Sequence, residues 1–194
     1  MKFYNVAINI IRSVLKVSIL FKIKGKENIP SGGAFLLCSN HMSAMDPLLI
    51  AAGCTRQLTF MAKEELFKVF LLGHLIKALG AFPIKRGRGD AAAVMATLKI
   101  MKKGGATLIF PEGTRMKNGA RKEVSGGIIR LAIQSGVPIV PAYVTKNTVT
   151  YGKPISYNEY IEDVQDAEKM QALADNLMDT IYSLDNKKLL QEVG

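Results

Sequence analysis

"AFLLCSNHMSAMDPLLIAAG", residues 34–53, contains the change of period on which the fold turns. Residues 34–39 are an apolar run of strand length, and residues 47–53 follow a helical pattern. Between them lies a short polar segment, Asn40 to Asp46, closed by Pro47. Asp46 is expected as the helix N-cap, with Pro47 at the first helical position, where its missing N–H costs nothing. A strand that passes into a helix through a short polar turn is the first half of a βα unit.

The same alternation continues outward. Apolar runs predict strands at 58–62, 81–85, 106–110, 138–144 and 148–152, with helices at 64–79, 90–103, 123–135 and 166–184. Asp90 can cap the third helix and Gly104-Gly105 can end it. In the last helix Met170, Leu173, Ala174, Leu177, Ile181 and Leu184 recur at helical spacing and predict a core face. Pro138 and Pro141 are expected at a sheet edge or a strand entry. The sum is a single α/β domain with a largely parallel, mixed sheet flanked by helices. At 194 residues and 48% hydrophobic, the chain is long and apolar enough for one sizeable core. Cys38 and Cys54 sit in apolar runs and are expected as buried thiols. With only two histidines beside them, no metal site is expected.

Charge is unevenly placed. Residues 1–144 carry 21 Lys/Arg against 7 Asp/Glu, and residues 145–194 carry 5 against 9. A basic body suits an anionic partner, either nucleic acid or an anionic membrane surface. The sequence argues against nucleic acid, because tryptophan is absent and no aromatic side chains interleave the basic ones for base stacking, which leaves a non-catalytic basic membrane- or nucleic-acid-binding protein as the alternative of another class.

The first twenty residues point to a membrane. Asn5, Asn9, Arg12, Ser13 and Lys16 project onto an arc of roughly 100° of a helical wheel, and the rest of the perimeter is apolar. A spanning helix would bury Arg12 and Lys16 at about 3 kcal/mol each, whereas a helix in the interface plane keeps both at the headgroups. Residues 1–21 are therefore expected as an amphipathic membrane-associating helix and 22–194 as the α/β domain. The plainer alternative is a helix packed on the domain's own core. No small-residue cleavage site follows, so a removed signal peptide is not expected. Residues 66–82 are apolar almost all round, with Lys68, His74 and Lys77 on different faces. Such a helix lies deep in a core or against something apolar. His74 is read as incidental.

In open α/β sheets functional groups gather where strands end. After the first strand come Asn40, His41 and Asp46; after 81–85 come Lys85, Arg86 and Arg88; after 106–110 come Glu112, Thr114 and Arg115. Each could be a solvated turn, with Gly113 left-handed and Glu112 paired to Arg115 on the surface. Together they supply a base, an orienting carboxylate and guanidinium groups able to grip an anion. A serine hydrolase is excluded because no G-x-S-x-G elbow exists, and Ser43 and Cys38 are read as local and core residues.

The ordered blocks "NHMSAMDP", "GAFPIKRGRGD", "FPEGTR" and "VPIVPAYV" resemble those of the glycerolipid acyltransferases, most closely the bacterial 1-acyl-sn-glycerol-3-phosphate type. The resemblance runs from about Gly25 to Ile155. It implies transfer of a fatty acyl group from acyl-CoA or acyl-carrier protein to the sn-2 hydroxyl of lysophosphatidic acid, with no cofactor and no acyl-enzyme. It also implies a place at the cytoplasmic face of the membrane, peripheral or monotopic. His41 matches the family's general base and Asp46 the carboxylate that orients it. Lys85, Arg86, Glu112, Gly113, Thr114 and Arg115 match substrate-binding positions, Arg86 the one that contacts the acceptor phosphate. Two departures stand out: Ser125 occupies a place where a basic residue is common, and one N-terminal helix stands where many relatives have more apolar segments. The same motifs fit an acyltransferase acting on another lysolipid, while a silent membrane-binding protein of the same fold would have no need of the intact site residues.

The chemistry has its own logic. An alcohol must lose a proton as it attacks a thioester, and a neutral imidazole suits that near pH 7. Residues five apart on an ideal helix lie roughly 140° apart, so His41 and Asp46 meet only if residues 40–45 turn back before the helix begins. Pro47 favours that by disfavouring a helical conformation at Asp46.

Overall fold

The computed structural model describes residues 21–84, 89–116 and 120–185, with Tyr4, Asn5, Val6, Ile8, Asn9, Ile11 and Ser13 of the N-terminal segment. Seven strands form one sheet: β1 (Lys22–Lys24), β2 (Phe35–Ser39), β3 (Leu58–Lys63), β4 (Ala81–Ile84), β5 (Ala106–Ile109), β6 (Ile139–Val144) and β7 (Thr148–Tyr151). Their order is β1-β7-β6-β2-β5-β3-β4, and every pairing is parallel except β6 with β7. The helices are α1 (Asp46–Gly53), α2 (Glu64–Phe67), α3 (Phe70–Ala78), α4 (Gly89–Lys102), α5 (Gly127–Ser135) and α6 (Ala167–Ser183).

Strand β2 is buried throughout, and its pleat sends alternate side chains to opposite faces. Phe35 and Leu37 join one core with α1, Ile76 of α3 and Tyr151. Leu36 and Cys38 join the other with Met101 of α4, α5 and the Met170–Tyr182 face of α6. A parallel sheet needs both faces covered, and helices on each side provide that. Both cysteines are buried, as expected.

Three details depart from the sequence reading. The predicted helix 64–79 is broken at Val69, which is extended at φ −78°, ψ 115°, so α2 and α3 meet at a corner. Gly73 makes the corner possible, since a Cβ there would collide with the Phe67 carbonyl. The predicted helix 123–135 begins only at Gly127. Proline 141 sits inside the interior strand β6 rather than at an edge. Its carbonyl accepts from Gly152 N–H, so the side on which it lacks an N–H faces the chain just beyond the end of β7, where the β6–β7 ladder is already ending. Pro138 stands at the strand entry and Pro83 on the edge strand β4, where the ladder tolerates them.

The seven described residues of the N-terminal segment are all helical. Tyr4 and Ile8, with Ile11 beside them, pack into the α1 face of the core, and the Tyr4 hydroxyl accepts Leu58 N–H at 3.2 Å. Part of the apolar perimeter expected at lipid is thus taken up by the domain itself, while Val6 is exposed. Among the described residues no helix is long and apolar enough to cross a membrane.

Candidate active site

Strand β2 lies between β5 and β6, and the chain after it moves first to one side and later to the other. At such a switch point the crevice outside the strand ends is the natural site, and the ends of β2 and β5 build it here. Asn40 anchors the turn. Its side chain is fully buried, donates to Val144 O at 3.0 Å and accepts Val144 N–H at 2.8 Å, which extends the β2–β6 pairing by one rung.

Beyond it the chain turns back as the spacing required. His41 Nδ1 lies 2.9 Å from Asp46 Oδ2. The same oxygen accepts Met42 N–H at 2.6 Å and Ser43 N–H at 2.7 Å. An oxygen that accepts two backbone N–H groups acts as an acceptor toward the ring as well, so the proton sits on Nδ1. That leaves the Nε2 lone pair for chemistry. Asp46 is only 2% exposed and the His41 side chain 17%. The carboxylate is enclosed while the ring reaches the surface. One expectation is corrected: the helix starts at Asp46 itself, with Met45 as N-cap and no side-chain cap bond. The carboxylate closes the preceding turn instead of capping the helix.

The loop after β5 holds His41 on three sides. The Phe110 ring stacks on the imidazole with centroids 3.9 Å apart and planes 17° from parallel. Glu112 Oε2 accepts His41 N–H at 3.2 Å, and Met116 N–H donates to His41 O at 2.7 Å. Gly113 turns the loop with φ +66°, the left-handed conformation anticipated for it. Glu112, however, is 2% exposed and faces inward instead of meeting Arg115, its Oε1 accepting a hydrogen bond from the Tyr182 hydroxyl at 2.6 Å. Gly113, Thr114 and Arg115 are exposed beside the site. Lys85 and Arg86, with Arg88, lie outside the described residues.

Around Tyr182 a polar cluster closes the site from behind. The Arg121 guanidinium lies 4.1 Å from the Tyr182 ring centroid and pairs with Asp179 at 2.8 Å. Tyr143 meets Tyr182 edge-on at 5.7 Å. Burial, then the bond to Glu112, pushes the Tyr182 hydroxyl well above the usual tyrosine range, so it remains a donor. Burial likewise raises the Cys38 thiol, which lies below the site as an inert core group. The Ser43 hydroxyl accepts Met45 N–H at 3.2 Å.

Phe110 and Tyr182 were missed by the sequence reading. Phe110 opens "FPEGTR" and was assigned to strand; only the fold shows that its ring faces the histidine. Tyr182 carried a weak signal, a tyrosine beside a buried position of α6, whose hydroxyl must find a partner.

A largely parallel α/β sheet thus carries a carboxylate-backed histidine at its switch point. The acyltransferase family model matches residues 20–145, and the chain belongs to that family. It is 25% identical to the 1-acyl-sn-glycerol-3-phosphate acyltransferase of Bacillus subtilis, over 95% of this chain and 98% of that one. It is 29% identical to the protein of that name from Streptococcus pneumoniae, over 89% of this chain and 71% of the relative. It matches another from Borreliella burgdorferi at 29%, spanning 76% of this chain and 62% of the relative's length. The fold resembles the crystal structure of the acyltransferase PlsC from Thermotoga maritima, with TM-score 0.62 over 85% of this chain and 80% of that one, at 23% identity.

Proposed function

We propose that the protein transfers a fatty acyl group from acyl-CoA or acyl-carrier protein to the sn-2 hydroxyl of 1-acyl-sn-glycerol-3-phosphate, giving phosphatidic acid. The observation that carries the reading is the 2.9 Å contact of His41 Nδ1 with buried Asp46, which presents Nε2 as a base. As the hydroxyl oxygen attacks the thioester carbonyl, Nε2 takes its proton, and Asp46 stabilises the imidazolium that forms. When the tetrahedral intermediate collapses, the C–S bond breaks and the imidazolium returns the proton to the leaving thiolate. No side chain need be acylated: Cys38 is fully buried, and Ser43 serves the turn through its N–H and hydroxyl. Arg115, exposed beside the site, together with Lys85 and Arg86, is assigned to the acceptor's phosphate.

Residence at an anionic membrane surface, on its cytoplasmic face, belongs to the same proposal because both substrates carry acyl chains. Support comes from the α2–α3 corner, where Leu66, Val69, Phe70 and Leu75 are exposed, Phe70 at 78%, with Lys63, Lys68 and Lys77 and the acidic Glu64 and Glu65 among them. Exposed apolar side chains beside lysines suit a membrane interface. Vesicle flotation should show binding to anionic but not zwitterionic membranes, weakened by salt and by Phe70→Ser.

The acceptor is tested by offering lysophosphatidate in competition with lysolipids bearing larger headgroups, with CoA and carrier-protein donors in separate reactions. Preferential formation of phosphatidate is the expected result. Preference for a headgroup-bearing lysolipid would move the enzyme to another acceptor within its family.

A further inference from the structure

We propose that Tyr182, near the end of α6, is a positioning residue for the histidine, acting through Glu112. The inference rests on the catalytic reading of His41. Glu112 is a buried carboxylate with both oxygens engaged, Oε1 by the Tyr182 hydroxyl at 2.6 Å and Oε2 by His41 N–H at 3.2 Å. The chain Tyr182–Glu112–His41 thus links α6 to the backbone of the base across 141 residues of sequence. A carboxylate held at one oxygen only can rotate about its last torsion, so the tyrosine fixes the plane that receives the histidine amide. The ring is itself held by the Arg121 guanidinium on its face, by Tyr143 at its edge, and by the Arg121–Asp179 pair that ties the loop to α6.

The arrangement separates two jobs that one motif seemed to share. Glu112 belongs to the positioning of His41, and the exposed Thr114 and Arg115 are left to meet substrate. Tyr182 is itself buried, so it reaches the reaction only through Glu112.

Tyr182→Phe keeps the ring and its packing and removes only the hydroxyl; Tyr182→Leu removes both. Amide hydrogen exchange at His41 reads the positioning bond without any need for turnover. In Y182F the His41 amide should exchange at least about 10-fold faster, with Leu37 and Cys38 of β2 unchanged. Turnover should fall between about 5- and 100-fold at unchanged KM for donor and acceptor, the cost of a displaced catalytic group. Y182L should lose no more activity at the catalytic step than Y182F. Wild-type exchange and turnover in Y182F, with loss only in Y182L, would make Tyr182 a packing residue and overturn the inference. Faster exchange with undiminished turnover would overturn its catalytic part. If wild type acylates no lysolipid, the proposed activity fails, and the exchange comparison still decides the positioning link.

Discussion

Asp46 concentrates three hydrogen bonds on one oxygen, and they do two different things. The bond to His41 sets the tautomer; those from Met42 and Ser43 close the turn that brings the pair together. Two substitutions separate these tasks. Asp46→Asn keeps an acceptor for the turn but loses the charge that stabilises an imidazolium, so turnover should fall by about 10,000-fold with the thermal midpoint nearly unchanged. Asp46→Ala also strands two backbone donors in a buried turn, each costing about 1–3 kcal/mol, so activity and stability should fall together. Kinetics and thermal melts on both variants check this; equal melting losses would show that the turn depends on the charge. At this scale the sequence was readable where partners are close along the chain, as His41 and Asp46 are. Phe110 stacks on His41 from 69 positions away and Tyr182 is linked to it through Glu112 from 141, and no local pattern encodes such an approach.

Among the elements, strands with two buried faces were the easiest to recognise. The runs at 34–39, 106–110 and 138–144 became β2, β5 and β6, the strands nearest the site. Strand β1 went unseen because Lys22 and Lys24 are exposed on an edge, and a charged triplet resembles a loop. The break at Val69 was hidden for the opposite reason: an unbroken apolar run reads the same whether or not the helix turns a corner within it. Contact between α5 and α6 rests on Gly126, since a Cβ there would lie 2.7 Å from the Met170 backbone. Gly126→Ala should force the two helices apart and lower stability by about 1–3 kcal/mol in chemical denaturation. Wild-type stability in that variant would mean that the crossing has slack.

Across the whole molecule both cores hold buried tyrosines, Tyr4 and Tyr151 on the α1 face and Tyr143, Tyr157 and Tyr182 on the α6 face. Burial, with Asp185 adding to it, pushes the Tyr143 hydroxyl up to about 12; burial raises Tyr157 and Tyr182 as well. In the unfolded chain tyrosines ionise near about 10. As the folded values are raised, the unfolded state loses its protons first. Stability from these groups is therefore intact below about pH 10 and lost as pH rises toward about 12. Urea unfolding from neutral to alkaline pH should show that decline, and Tyr143→Phe should flatten it; equal slopes would remove Tyr143 as a cause. The α/β class and a site at the switch point were legible because strand and helix alternate and the polar residues fall at strand ends. The N-terminal helix was less so: Tyr4, Ile8 and Ile11 meet the domain's core, and an amphipathic stripe does not say which apolar surface it will cover.

In the proposed reaction His41 acts as a base on a lipid acceptor. Purified protein with lysophosphatidate and a palmitoyl thioester, followed for both thiol release and phosphatidate formation, tests it against His41→Ala in parallel. Wild type should form phosphatidate, and the variant should lose about 100- to 10,000-fold in rate. A His41→Ala protein as active as wild type would rule out the histidine as a base, leaving it as part of the turn before α1 and no more.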